Sequence, residues 1–131
     1  MVLKPPVFHL RRNDFNCKGE LVDNFFHDKI VVIFIYADFC GFCHSAAPEY
    51  QKAANFSLKI FPENTVYFGA IRADGNIKGE KECENIINKL TNFEGFPDYA
   101  ILINGKPVNF KFTQRDHIYI LHTIKKFRGI Q

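Results

Sequence analysis

The chain has no tryptophan, one methionine, six prolines and eight glycines among its 131 residues. So little proline and glycine excludes collagen-like and low-complexity sequences. A composition of 47% hydrophobic and 24% charged residues excludes an intrinsically disordered one. A dominant charge sign is also missing: seventeen basic residues against fourteen acidic give +3. That bias is too weak to point to nucleic acid or a membrane surface, and neither is expected as a partner. The basic clusters Arg11-Arg12 and Lys125-Lys126-Phe127-Arg128 read as solvated charge, or as a contact for an acidic partner. The most apolar run, Ile30 to Ala37, is too short to span a bilayer. No repeat or linker interrupts the sequence, so one domain over residues 1–131 is expected, with its core at about 7–127. No secretory leader follows Met1, and the final residues Phe-Arg-Gly-Ile-Gln are no retention tetrapeptide. The expected location is the cytoplasm, or the endoplasmic reticulum if the chain is a trimmed piece.

What the chain does have is aromatic side chains, fifteen Phe and five Tyr, arranged in legible elements. Val7 to Leu10 reads as an opening strand. Glu20 to Phe26 places Leu21, Val22, Phe25 and Phe26 on one helix face. Ile30 to Tyr36 is apolar without alternation, which indicates a central strand covered on both faces. Ser45 to Ile60 reads as a helix bent at Pro48, Thr65 to Ile71 as a strand, and Glu80 to Leu90 as a helix. Tyr99 to Ile103 is a strand, and Asn104-Gly105 signals a two-residue hairpin into a strand at Val108 to Phe112. Thr113 and Asp116 approximate a capping box for a last helix that turns Ile120, Leu121 and Ile124 inward. The order implies an α/β fold, a mixed central sheet flanked by helices on both faces.

The chemistry concentrates at Cys40-Gly41-Phe42-Cys43, between the central strand and the long helix. Two intervening residues at a helix start leave both sulfurs within bridging reach. The unpaired N–H groups of that helix end favour a thiolate on Cys40, making it the nucleophile. Cys43, one turn deeper, is placed to attack a mixed disulfide and release the substrate. Structural zinc would need four ligands, obtainable only by gathering Cys17, Cys83 and His44 around the pair, so no metal is expected. A permanently closed disulfide would gain little from so short a loop. Cys17 and Cys83 read as buried free thiols, with a bridge between them as the alternative.

The stretch Phe34 to Ala54, FIYADFCGFCHSAAPEYQKAA, resembles the active-site region of a protein disulfide isomerase catalytic domain, of the thioredoxin superfamily. Gly95-Phe96-Pro97 and the strand and turn through Lys106 resemble that family's cis-proline segment. Arg115 and the final helix match as well, so the resemblance runs from about Val7 to Phe127. It implies a thioredoxin-like fold and a redox-active Cys40–Cys43 disulfide supported by Gly41, Phe42, Pro97 and Arg115. Pro97 would be cis and would present backbone to a substrate chain, and Arg115 would tune Cys43; the alternatives are a proline that simply starts a strand and a solvated arginine in a helix's first turn. Phe39, Phe42, Phe96 and Pro97 would form the substrate-binding rim; for the phenylalanines the alternative is that two of them are core.

Several positions depart from the pattern. Phe39 stands where the family has Trp. Gly41-Phe42 is neither the Gly-Pro of reductive thioredoxins nor the Gly-His of disulfide isomerases. Phe34 replaces a buried acid that relays a proton for the second cysteine, and Ala70 replaces the lysine that pairs with that acid in thioredoxins. Asp38, two residues from Cys40, is a candidate substitute relay, although its position in the family is a surface one. His44 replaces a lysine and could favour the Cys40 thiolate if protonated, or simply sit exposed.

The reading is a monomeric thiol–disulfide oxidoreductase, isomerase-like, exchanging its cysteine pair with protein or peptide clients and a redox partner. It needs no diffusible cofactor, because the electrons reside in the two sulfurs. The rivals are a thioredoxin-type reductase and a thioredoxin-fold binding module that keeps a Phe-rich surface without fast turnover.

Overall fold

The computed structural model describes residues 2–75 and 81–130. Its centre is β2 (Ile30–Tyr36), every residue of which is buried. Around it the sheet runs β1 (Val7–His9), β3 (Val66–Arg72), β2, β4 (Asp98–Ile103), β5 (Lys106–Pro107). β1 and β2 lie parallel to β3, whereas β4 is antiparallel to both β2 and β5. The side-chain period of two sorts β2 onto two cores. Val32, Phe34 and Tyr36 face the layer that carries the helices α1 (Gly41–Ile60) and α3 (His117–Ile130), while Val31, Ile33 and Ile35 face the layer of α2 (Ile87–Leu90). A strand sandwiched between two helical layers explains the unbroken apolar run that marked it in the sequence. This is the thioredoxin-like fold.

α1 is stapled to the sheet by Tyr50, whose buried hydroxyl lies 2.9 Å from the Val32 carbonyl and 2.6 Å from that of Gly69. Pro48 is accommodated inside the helix without ending it. The β4–β5 turn has positive φ at both Asn104 (55°) and Gly105 (78°), the demand that Asn-Gly meets in a two-residue hairpin. A Cβ on Gly105 would also stand 3.2 Å from the Leu21 carbonyl.

Four expected elements differ. Glu20 to Phe26 is not a helix. Leu21 bridges to Phe15, and only Asn24–Phe26 forms a 3-10 turn, begun by the Asp23 carboxylate accepting from the Phe25 amide. Phe25 and Phe26 pack instead against Tyr67, and Phe26 stacks on Phe8. The helix expected over Glu80 to Leu90 is a 3-10 segment, Lys81–Asn85, followed by the short α2; Glu80 lies outside the described residues. The strand expected at Val108 to Phe112 does not form: β5 is only Lys106–Pro107, followed by a single further bond from the Val108 amide to the Ile101 carbonyl at 2.9 Å. Beyond it Phe110 and Phe112 turn inward onto Phe127 and Tyr99. Asp116, not Thr113, caps α3, its carboxylate accepting from the Tyr119 amide at 3.0 Å.

Candidate active site

The long helix starts at Gly41, four residues earlier than its hydrophobic pattern shows, because Cys40 is its N-cap. The Cys40 sulfur accepts from the Cys43 amide at 3.2 Å, taking up one of the helix's free donors. The two cysteines differ in access: Cys40 keeps 9% of its surface and Cys43 keeps none. Burial is the main force pushing the Cys43 thiol up to about 12. The Cys40 hydrogen bond and charge add to it, against the Ala37 amide and the Arg115 guanidinium. Both thiols are free.

Facing the pair is the segment that leads into β4. The Phe96–Pro97 peptide is cis, Pro97 is buried, and the Cys40 thiol points to the Phe96 carbonyl at 3.5 Å. A cleft of about 360 Å³ opens beside it, bounded by Phe42, Gly95 to Tyr99 and Lys111 to Arg115. Phe39 and Phe42 flank Cys40 in the sequence and are 75% and 69% exposed. Phe96 is half-buried, meeting Phe39 edge-on at 5.9 Å and Phe93 at 4.8 Å. Arg115 precedes α3, stands over the Phe42 ring at 5.6 Å and exerts its charge on Cys43. Gly41 has open space where a Cβ would be, so the turn between the cysteines is not sterically closed. Every residue expected at the site is therefore gathered at one end of the sheet.

Other candidates fall elsewhere. The Asp38 side chain is exposed and lies 3.9 Å from Arg72, so it is no buried relay. The His44 ring is exposed, on the Asp38 carbonyl at 2.8 Å. Cys83 is buried as expected, but Cys17 is exposed, in a turn whose Lys18 and Glu20 amides the Asn16 side chain holds. Among the described residues no group of three or more His, Cys, Asp or Glu could hold a metal ion.

Phe34 is fully buried and stacks on Tyr50 at 4.9 Å, with Tyr99 at 5.4 Å and Tyr36 at 5.6 Å. Its parallel neighbour across the ladder is Ala70, also fully buried. An aromatic stack thus fills the floor of the site.

Three supports were not foreseen. Asp74 accepts from the Asp38 and Phe39 amides and from Arg72, fixing the turn that delivers Cys40. Partial burial resists its ionisation, yet those bonds outweigh it and hold the carboxyl below its usual range. Asp98, next to the cis-proline, is buried against Lys111 at 2.6 Å. Tyr99 lines the cleft and carries a buried hydroxyl. Only long-range contact reveals these roles; the one local signal was an acidic residue immediately after Pro97.

Two sulfurs in bridging reach, one on a residue that keeps a small exposed edge and one wholly buried in the first turn of the helix, suit one kind of chemistry: opening and closing a disulfide by exchange with other thiols. The protein is a thioredoxin-fold thiol–disulfide oxidoreductase. It belongs to the thioredoxin family, whose model matches residues 7–126. It is 40% identical over 110 residues to thioredoxin-like protein 453L of Invertebrate iridescent virus 6, covering 79% of this chain and 80% of that one. It is 30% identical over 115 residues to a protein disulfide-isomerase of Datisca glomerata, covering 86% of this chain but only 21% of the relative. The first thioredoxin domain of mouse protein disulfide-isomerase A4 shares the fold at TM-score 0.67 and 23% identity, covering 95% of this chain and 77% of that one.

Proposed function

We propose that the protein exchanges disulfides with protein clients in the manner of a disulfide isomerase, with Cys40 attacking and Cys43 resolving. The observation that carries this reading is the asymmetry of the pair, a surface-edge Cys40 between two exposed phenylalanines and a wholly buried Cys43. Apolar surface around the reacting sulfur suits unfolded chains, which expose apolar side chains. The cis-proline segment offers them backbone at the same edge.

Cys40 thiolate attacks a client disulfide. One client sulfur leaves as a thiolate with the electron pair and takes a proton from water, and the other stays bonded to Cys40. Cys43 then attacks the Cys40 sulfur, the client thiolate departs, and the Cys40–Cys43 disulfide carries the two electrons' worth of oxidation. In reverse the same disulfide oxidises a client dithiol, and a redox partner closes the cycle. Gly41 and Phe42 shape the turn, Pro97 and Phe96 line the client's path, and Arg115 offsets charge on Cys43.

A second reading has one observation in its favour: Phe34 puts no acid under Cys43. On that reading the Phe-rich face binds clients and turnover is slow. Insulin reduction and refolding of a scrambled substrate separate the cases. The isomerase reading expects refolding to exceed insulin reduction, a thioredoxin-type reductase gives the opposite, and a binding module gives neither. The potentials of the two enzyme types differ by about 90 mV, roughly 4 kcal/mol for two electrons. With neither Pro nor His between the cysteines, an intermediate value in a glutathione titration is expected. A value at or below thioredoxin's favours the reductase.

A further inference from the structure

Tyr99 is 2% exposed, and its hydroxyl oxygen is, among the described residues, the only buried side-chain polar atom without a hydrogen-bond partner. The neighbouring Tyr50 shows the usual outcome, a buried hydroxyl satisfied by two carbonyls. A phenylalanine at position 99 would keep the stacks on Phe34 and Phe112 without desolvating a hydroxyl. An unpaired buried group of this kind calls for a reason.

Its position supplies one. Tyr99 follows the cis-proline by two residues and lies on β4, where alternation puts it on the same side of the sheet as Ile101. It pairs with Phe34 across the ladder and packs in one buried cluster with Cys40 and Cys43, at the floor of the cleft under Phe42 and Arg115. Burial above all keeps the hydroxyl protonated; Arg115 opposes this, and Cys43, Asp98 and Glu49 reinforce it. It is therefore a donor that does not ionise. Near it stands a thiol whose charged form is poorly solvated, helped only by the Ala37 amide and Arg115 against burial and Cys40.

We propose that the Tyr99 hydroxyl donates a hydrogen bond to the Cys43 sulfur, directly or through one water, as Cys43 becomes a thiolate in the resolving step. The reduced protein holds no such bond, and catalytic contacts commonly tighten only as the charge develops. Tyr99 keeps its proton throughout. The Cys43 proton is lost to water as the thiolate forms. The thiolate then attacks the Cys40 sulfur, the Cys40–Cys43 bond forms as the Cys40–client bond breaks, and the client sulfur departs as a thiolate that takes up a proton from water. This rests on the exchange reading above and adds a donor on the aromatic floor that Phe34 shapes.

The test is Tyr99→Phe, which removes one oxygen. A labelled peptide is joined to Cys40 by a disulfide and its release followed in a single turnover. In parallel, Cys43 ionisation is titrated in protein whose Cys40 is permanently alkylated, and denaturant melts report stability. The expected results are release slowed about tenfold and Cys43 ionisation moved up by about one pH unit, the effect of one lost hydrogen bond. Stability should be equal or greater. Release at the wild-type rate with unmoved ionisation overturns the proposal, as does a uniform loss of both attack and release accompanied by a lower melt. If wild-type protein forms no mixed disulfide at Cys40 at all, the exchange reading itself has failed, a result distinct from either.

Discussion

Release of a client requires Cys43 as a thiolate, and pH is the cleanest perturbation of that step. In the reduced protein Cys43 is pushed from an ordinary 9.0 up to about 12, chiefly by burial. A rise of three units makes the thiolate about a thousandfold scarcer at neutral pH, a cost of roughly 4 kcal/mol. In a mixed disulfide Cys40 carries neither thiol nor charge, so its contributions disappear while the burial remains. The ionisation midpoint should then fall between 9 and 12. Release of a peptide thiol from Cys40, followed by rapid quench from about pH 6 to about pH 9, should accelerate close to tenfold per unit without levelling. The same raised value has a stability consequence. Because the folded pKa lies above the unfolded one, the contribution of Cys43 is complete below pH 9 and is lost as pH rises toward 12. Reduced wild type should lose about 1.4 kcal/mol per unit in that window relative to Cys43→Ser. A release rate that levels off near neutral pH would refute the reasoning, since it would mean that Cys43 ionises easily despite its burial.

Phe34→Glu should speed release by supplying a proton acceptor, and should destabilise the fold by about 3–5 kcal/mol in denaturant melts. It breaks three aromatic contacts and buries a carboxyl without an evident partner. Lys111→Met should strand the buried Asp98 carboxylate; with Lys111 itself 39% exposed, the expected loss is about 1–2 kcal/mol, accompanied by weaker client capture beside Pro97. The Glu49 carboxyl is held at about 2 by the His117 side chain and then its amide, so its contribution is present above 4.5 and lost as pH falls toward 2. Melts of Glu49→Gln should show a smaller drop across that acid window than wild type.

Local signals carried much of the site into view. β2 was legible end to end, because burial on two faces leaves a run of β-branched and aromatic residues that nothing else explains. The cysteine pair was legible because strand, spacing and helix start coincide, and Asn104-Gly105 because its backbone demand is local. The misses share a cause. Glu20 to Phe26 has a helical pattern, yet Phe8 and Tyr67, far away in sequence, take its aromatic rings into a different packing. Val108 to Phe112 has strand composition, but Phe110 and Phe112 are drawn inward onto Phe127 and Tyr99. Cys17 looked like a core residue by type, and a turn held by Asn16 places it outside. Asp74, Lys111 and Tyr99 act across the fold, where a one-dimensional pattern has no period to show.

Cys43→Ser tests the central claim, a nucleophile with a small exposed edge backed by a wholly buried resolving thiol, most directly. Incubated with a scrambled disulfide protein, this variant should accumulate a mixed disulfide that peptide mass mapping assigns to Cys40. Cys40→Ser should accumulate none at Cys43, and neither variant should carry the client on Cys17 or Cys83. Equal capture by the two variants, or capture through Cys17, would contradict the account.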